Sequence, residues 1–129
     1  AETNIDAEHN RELRSYSIND DASIGEYVVL HDFAPHRSID GMCLDTEGNI
    51  VAPAGSLESG PGPMIYVFSP TGEVIERHPL PADKPTNCTF GDIDLRTLYV
   101  TTTGGHLLRA RTERQGHLLY PTFELRAAS

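Results

Sequence analysis

The feature that most constrains this chain is an internal repeat. Laid over one another, Asp40-Gly41-Met42-Cys43-Leu44-Asp45 and Asn87-Cys88-Thr89-Phe90-Gly91-Asp92 each give a short run of small and apolar residues closed by Asp, at an offset of 47 positions. With two residues inserted downstream, Ile50-Val51-Ala52 falls over Tyr99-Val100-Thr101. Each copy then continues with a run of larger side chains, a turn and a final run: 65–69 and 74–78 in the first, 107–111 and 117–120 in the second. The same latter half occurs a third time near the start, as 13–17 followed by 26–31. A tandem unit of about 47 residues carrying four short strands has the period of a propeller blade.

The runs themselves read as strands. Apolar or alternating stretches lie at 13–18, 27–30, 41–44, 50–52, 64–68, 74–77, 98–102, 106–111 and 117–120, separated by turn chemistry at Asn19-Asp20-Asp21, Thr46-Glu47-Gly48-Asn49, Ser69-Pro70-Thr71-Gly72 and Gly104-Gly105. No dozen residues carry apolar side chains at helical spacing, and Gly or Pro punctuates most windows. The predicted fold class is all-β, a β-propeller of about 2.5 to 3 blades, too few to close a ring that takes about four to eight. Residues 1–36 are expected to give the last two strands of a blade, and 37–83 and 84–129 one blade each. A β-sandwich of nine or so short strands also fits the spacing. The superposition of Asp40 on Asn87 favours the propeller.

Composition excludes several function classes. Ten Lys and Arg stand against 19 Asp and Glu, a net charge of −9, so a nucleic-acid backbone would be repelled. No window approaches the roughly 18 apolar residues of a membrane span, and no charged start leads into an apolar leader. The expectation is a soluble, cytoplasmic chain with no membrane and no nucleic-acid partner. Its opening on Ala1-Glu2-Thr3-Asn4, without Met, suggests material missing upstream. Two cysteines, Cys43 and Cys88, are too few for a disulfide scaffold or a paired zinc site, and read as small buried apolar residues.

Three segments carry a family resemblance. They are Ile39-Asp40-Gly41-Met42-Cys43-Leu44-Asp45-Thr46-Glu47-Gly48-Asn49-Ile50, then Pro85-Thr86-Asn87-Cys88-Thr89-Phe90-Gly91, then Leu95-Arg96-Thr97-Leu98-Tyr99-Val100-Thr101-Thr102. In order and spacing, from about residue 4 to about residue 120, they resemble the gluconolactonase, senescence marker protein and luciferin-regenerating enzyme family, whose pattern reads Pro-Asp-Gly-Met-Cys-hydrophobic-Asp-x-Glu-Gly. The resemblance implies a six-bladed propeller holding one divalent cation on its axis and hydrolysing sugar lactones or related esters. It makes Asp40 both metal ligand and general base, and the chain the C-terminal blades of such an enzyme. The family's other ligands, a Glu and an Asn, would fall before Ala1. Ile39 stands where the family pattern has Pro, a change in backbone stiffness.

The residues can be read independently of the family. Equivalent positions of successive blades sit at equivalent heights around the axis, so Asp40 and Asn87 are expected to face one central cavity. A carboxylate and an amide oxygen are hard donors, suited to calcium first, then magnesium or manganese, with zinc admitted by the family. Asp40 could otherwise merely cap a turn before Gly41, and Asn87 could bond its own backbone rather than a substrate or metal. Asp45 and Asp92 read as turn residues. His9, His31, His36, His78, His106 and His117 lack ligand spacing, and most are expected to be exposed. Ser56 and Ser59 lie in a Gly/Pro-rich stretch, 53–63, without a nucleophile elbow, and that stretch reads as a long loop over the cavity mouth. Gly104-Gly105 reads as a hairpin turn, since no helix follows to make a phosphate cradle.

Two function classes follow. The first is a metal-dependent lactone hydrolase acting on a small-molecule lactone, with the rest of the ring supplied by a missing N-terminal half or a second copy. The second is a non-catalytic propeller fragment that binds a partner or self-associates through unpaired edges.

Overall fold

The protein, seen in a computed structural model, is described over residues 10–120. Within them the chain runs through nine strands and no helix. β1 (Glu12–Ile18) and β2 (Ile24–Asp32) form a two-stranded sheet. β3 (Cys43–Leu44), β4 (Ile50–Ser56), β5 (Ser59–Phe68) and β6 (Val74–Pro79) form a four-stranded one, and β7 (Pro85–Gly91), β8 (Thr97–Thr102) and β9 (Leu107–Arg111) a three-stranded one. Every ladder is antiparallel and joins strands adjacent in sequence. The all-β expectation holds, and no helix among the described residues is long and apolar enough to cross a membrane.

The three sheets stack in chain order because the middle one is apolar on both faces. Side chains alternate across a strand. In the β4–β5 ladder, Ala52 lies opposite Tyr66 and Ala54 opposite Met64, while Val51 lies opposite Val67. The Ala52, Ala54, Met64, Tyr66 and Phe68 face packs with Leu13, Phe33 and Ile39 toward the first sheet. The Val51, Ile65 and Val67 face packs with Cys88, Phe90, Leu98 and Val100 of the third sheet. A sheet covered on both faces reads as a near-continuous apolar run, as 64–68 does.

Two sequence expectations need correction. The stretch 53–63 is not a loop: it is the end of β4, a two-residue turn at Leu57-Glu58, and the start of β5, with Ser56 opposite Ser59. Its glycines serve a register shift between Ala54 and Ser56. Gly55 has φ +85°, and a Cβ there would fall 2.2 Å from the Gly62 carbonyl oxygen, so only glycine fits this bulge. Residues 117–120 do not form a strand either. The chain instead turns back across the neighbouring sheet, where Gly116 bridges Asp45 and His117 N–H donates to Leu44 O at 2.9 Å. The turn assignments hold: Gly72 N–H bonds Ser69 O at 2.9 Å, and Gly105 N–H bonds Thr102 O at 3.1 Å.

Candidate functional site

Asp40 sits in a bend whose position is fixed on both sides. Before it, Ile39 is fully buried and bridges Ala54 of β4. After it, Gly41 N–H donates to Thr86 O of β7 at 2.7 Å, drawing the starts of the two inner strands together. The absence of a side chain at Gly41 permits this approach: a Cβ there would lie 2.1 Å from Asn87 Oδ1. Asn87 therefore rests against the residue that follows Asp40, and the two positions superimposed in the repeat are neighbours in space.

The Asp40 carboxylate is open, its side chain 54% exposed, and Arg37 Nη2 lies 3.8 Å from its Oδ2. Arg37 was not singled out by the sequence. Its other guanidinium nitrogen donates to Pro85 O at 2.8 Å and to Gly55 O at 3.3 Å, so it spans the second and third sheets beneath Asp40. Asn87 Oδ1 accepts from the adjacent Cys88 N–H at 2.8 Å, a local side-chain-to-backbone bond of the kind expected for a loop amide, although Asn87 lies within β7. Asn87, with Met42, Cys43 and Cys88, lines a cavity of about 710 Å3 between the sheets; Asp40 is not part of its lining.

Asp45 and Asp92 hold turns. Asp45 Oδ1 accepts from the N–H groups of Glu47 and Asn49, both at 2.9 Å, and Oδ2 accepts from the Asn49 amide at 2.8 Å. Asp92 accepts from the hydroxyls of Thr97 and Tyr99. Less legible was the partner of Asp45: Arg114, 69 residues on, donates to its Oδ2 at 2.7 Å and also to Glu76. Burial works to raise the Asp45 carboxyl, but hydrogen bonds from Asn49, Arg114 and Glu47 outweigh it and hold it below the usual range. The Arg114 hydrogen bond, then that from His78, depresses Glu76 likewise.

His78, His106 and His117 are exposed and His9 lies outside the described residues, but His31 is half-buried. Its ring meets Phe33 edge-on at 4.5 Å and Phe68 at 5.1 Å. Ser59 Oγ and His36 Nδ1 lie 3.3 Å apart at the β4–β5 hairpin. Among the described residues no group of three or more His, Cys, Asp and Glu is placed to hold a metal ion. An open carboxylate such as Asp40 suits one position in the oxygen shell of a hard cation, and the remaining ligands would have to come from elsewhere.

These features meet in a known family. A family model described as the SMP-30/Gluconolactonase/LRE-like region matches residues 5–104, and the chain belongs to this family. The individual relatives narrow the comparison. Regucalcin of Gallus gallus is 37% identical over 93 residues, covering 71% of this chain and 30% of its own length. The 6-deoxy-6-sulfogluconolactonase of Pseudomonas putida is 31% identical over 96 residues, covering 73% of this chain and 31% of its own. A solved luciferin-regenerating enzyme superposes with a TM-score of 0.70 at 23% identity, over 83% of this chain and 40% of that one, a likeness of fold. The chain thus spans under half the length of each of these proteins.

Proposed function

We propose that this chain supplies part of a six-bladed propeller that hydrolyses sugar lactones, with Asp40 as a metal ligand and general base and Asn87 as a substrate contact. Residues 1–36, 37–83 and 84–129 are then the last two strands of one blade and two further blades. The sheets at Glu12–Asp32, Cys43–Pro79 and Pro85–Arg111 are compatible with those boundaries. The observation that carries the reading is the Gly41–Thr86 hydrogen bond, which sets Asn87 against the residue following Asp40, in a chain of the gluconolactonase family.

A bound divalent cation, calcium first among calcium, zinc, magnesium and manganese, would polarise the lactone carbonyl and acidify a water. Asp40 takes a proton from the water as its oxygen bonds to the carbonyl carbon. The ester C–O bond of the ring then breaks, and the departing alkoxide recovers a proton, leaving the open acid. Nothing in this scheme selects one lactone over another.

The test is δ-lactone hydrolysis by the purified protein with each cation in turn, on material whose mass and assembly state are measured by light scattering. Metal-dependent hydrolysis that falls at least ~100-fold in Asp40→Ala is expected, the scale of a lost general base. Unchanged turnover in that variant would overturn the assignment of Asp40. A second reading, a non-catalytic scaffold that self-associates, is favoured by the lack of a three-ligand group among the described residues. A folded, self-associating protein that binds no cation and hydrolyses nothing would establish it.

A further inference from the structure

The two cysteines face each other across the joint between the second and third sheets. Cys43 lies on β3 and Cys88 on β7, with Sγ–Sγ 3.5 Å, and both are free thiols. The sulfurs stand on strands already held close by the Gly41–Thr86 hydrogen bond. A disulfide needs an S–S separation of about 2.05 Å, so closure asks the pair to approach by roughly 1.5 Å. β3 is short, paired to β4 only at Cys43–Val51 and Leu44–Ile50, and its tether to the trailing segment falls on Leu44 and Asp45, which leaves Cys43 at the freer end to supply that movement. Reading these residues as inert apolar filler leaves this proximity unused.

We propose that Cys43 and Cys88 form a reversible dithiol/disulfide couple that covalently staples the two inner strands beneath Asp40 and Asn87. The two thiols are not equivalent. Both cysteines border the 710 Å3 cavity, but Cys43 is half-buried where Cys88 is buried, so a small oxidant entering the cavity reaches Cys43 first. Cys88 is buried, and its thiol donates to Val51 O with Sγ and oxygen 3.3 Å apart. The hydrogen bond between them lowers the Cys43 thiol and raises that of Cys88, and burial raises Cys88 further. Cys43 is therefore the attacking sulfur and Cys88 the resolving one.

The co-reactant is a peroxide. The Cys43 thiolate attacks one peroxide oxygen, the O–O bond breaks, and hydroxide leaves to become water, giving a sulfenic acid on Cys43. The Cys88 sulfur then attacks the Cys43 sulfur, the S–O bond breaks, and the hydroxyl leaves with the Cys88 proton as a second water. Two thiols are oxidised to one disulfide and the peroxide is reduced to two waters. A thiol reductant reverses the closure.

Because these are the chain's only cysteines, any internal disulfide must be this one. The experiment treats the reduced full chain with increasing hydrogen peroxide and follows intact mass, free-thiol titre, the non-reducing peptide map and thermal midpoint. Expected are a monomer lighter by two hydrogens, concerted loss of both thiols, and a linked Cys43–Cys88 peptide. The midpoint should rise on the order of 5 to 10 °C and return with dithiothreitol. In Cys88→Ser, Cys43 should still consume peroxide but keep the added oxygen, as sulfenic acid with one equivalent and sulfinic acid with more, whereas in Cys43→Ser the remaining thiol should be inert. A covalent dimer, oxygen added to Cys43 with Cys88 still free, or no reaction would overturn the proposal. The wild-type mass and peptide map decide it even if neither variant folds, and none of these readouts depends on lactone hydrolysis.

Discussion

His31, Asp45 and Glu76 make stability respond to pH in two steps of the same sign. Burial among Phe33, Tyr66 and Phe68, reinforced by the charge of Arg77, pushes the His31 imidazole below its ordinary value. An unfolded His31 binds a proton below about pH 6.5 while the folded one resists, so its contribution is whole above that pH and lost on acidification. Asp45 and Glu76 are also depressed, so theirs is whole above about pH 4 and fades below it as the carboxylates protonate. Urea midpoints between pH 8 and 3 should therefore fall once below about 6.5 and again below about 4. His31→Phe should abolish only the upper step. At this scale the repeat aligned Asp40 with Asn87, and the close approach of Gly41 to Asn87 was legible in that alignment. Arg37 was not legible, since its role depends on reaching backbone carbonyls of two sheets, and no local pattern records where a long side chain ends.

Strands were easiest to anticipate where apolar residues run continuously, as at 64–68, and hardest where glycine and proline interrupt. The stretch 53–63 has the composition of a loop, yet Pro53 lies opposite Ile65 within the ladder and the glycines relax a bulge. Punctuation of this kind marks a departure from regular backbone without saying whether pairing stops or merely shifts. Gly55→Ala tests the distinction. The new methyl would meet the Gly62 carbonyl and force a left-handed backbone on alanine, at a cost of about 2 to 3 kcal/mol in chemical denaturation. A loss below about 0.5 kcal/mol would mean that the hairpin end relaxes as freely as a surface loop. Residues 117–120 show the converse: a short, largely apolar run promised a strand, and the bond from His117 to Leu44 turns that segment toward the neighbouring sheet.

At the scale of the whole molecule, the all-β character and stacked repeat units were legible because each unit re-uses one pattern. The attachment between units was less so, because it resides in single long-range contacts. Arg114 is the clearest: 18% exposed, it joins the third sheet's trailing segment to nearly fully buried Asp45 and to Glu76 of the second sheet. Removing it in Arg114→Met leaves a buried carboxylate short of its cation, an expected loss of about 3 kcal/mol. That latch also sets an order in time. Each ladder joins neighbouring strands and can zip as soon as its hairpin closes, whereas the Arg114–Asp45 bond must bring together positions 69 apart. A clasp fastened after the crest of the folding barrier governs how long the native state lasts, not how quickly it is reached. Stopped-flow traces of Arg114→Met should accordingly show unfolding accelerated by roughly 100-fold with refolding nearly unchanged; slowed refolding would place the clasp in the folding nucleus.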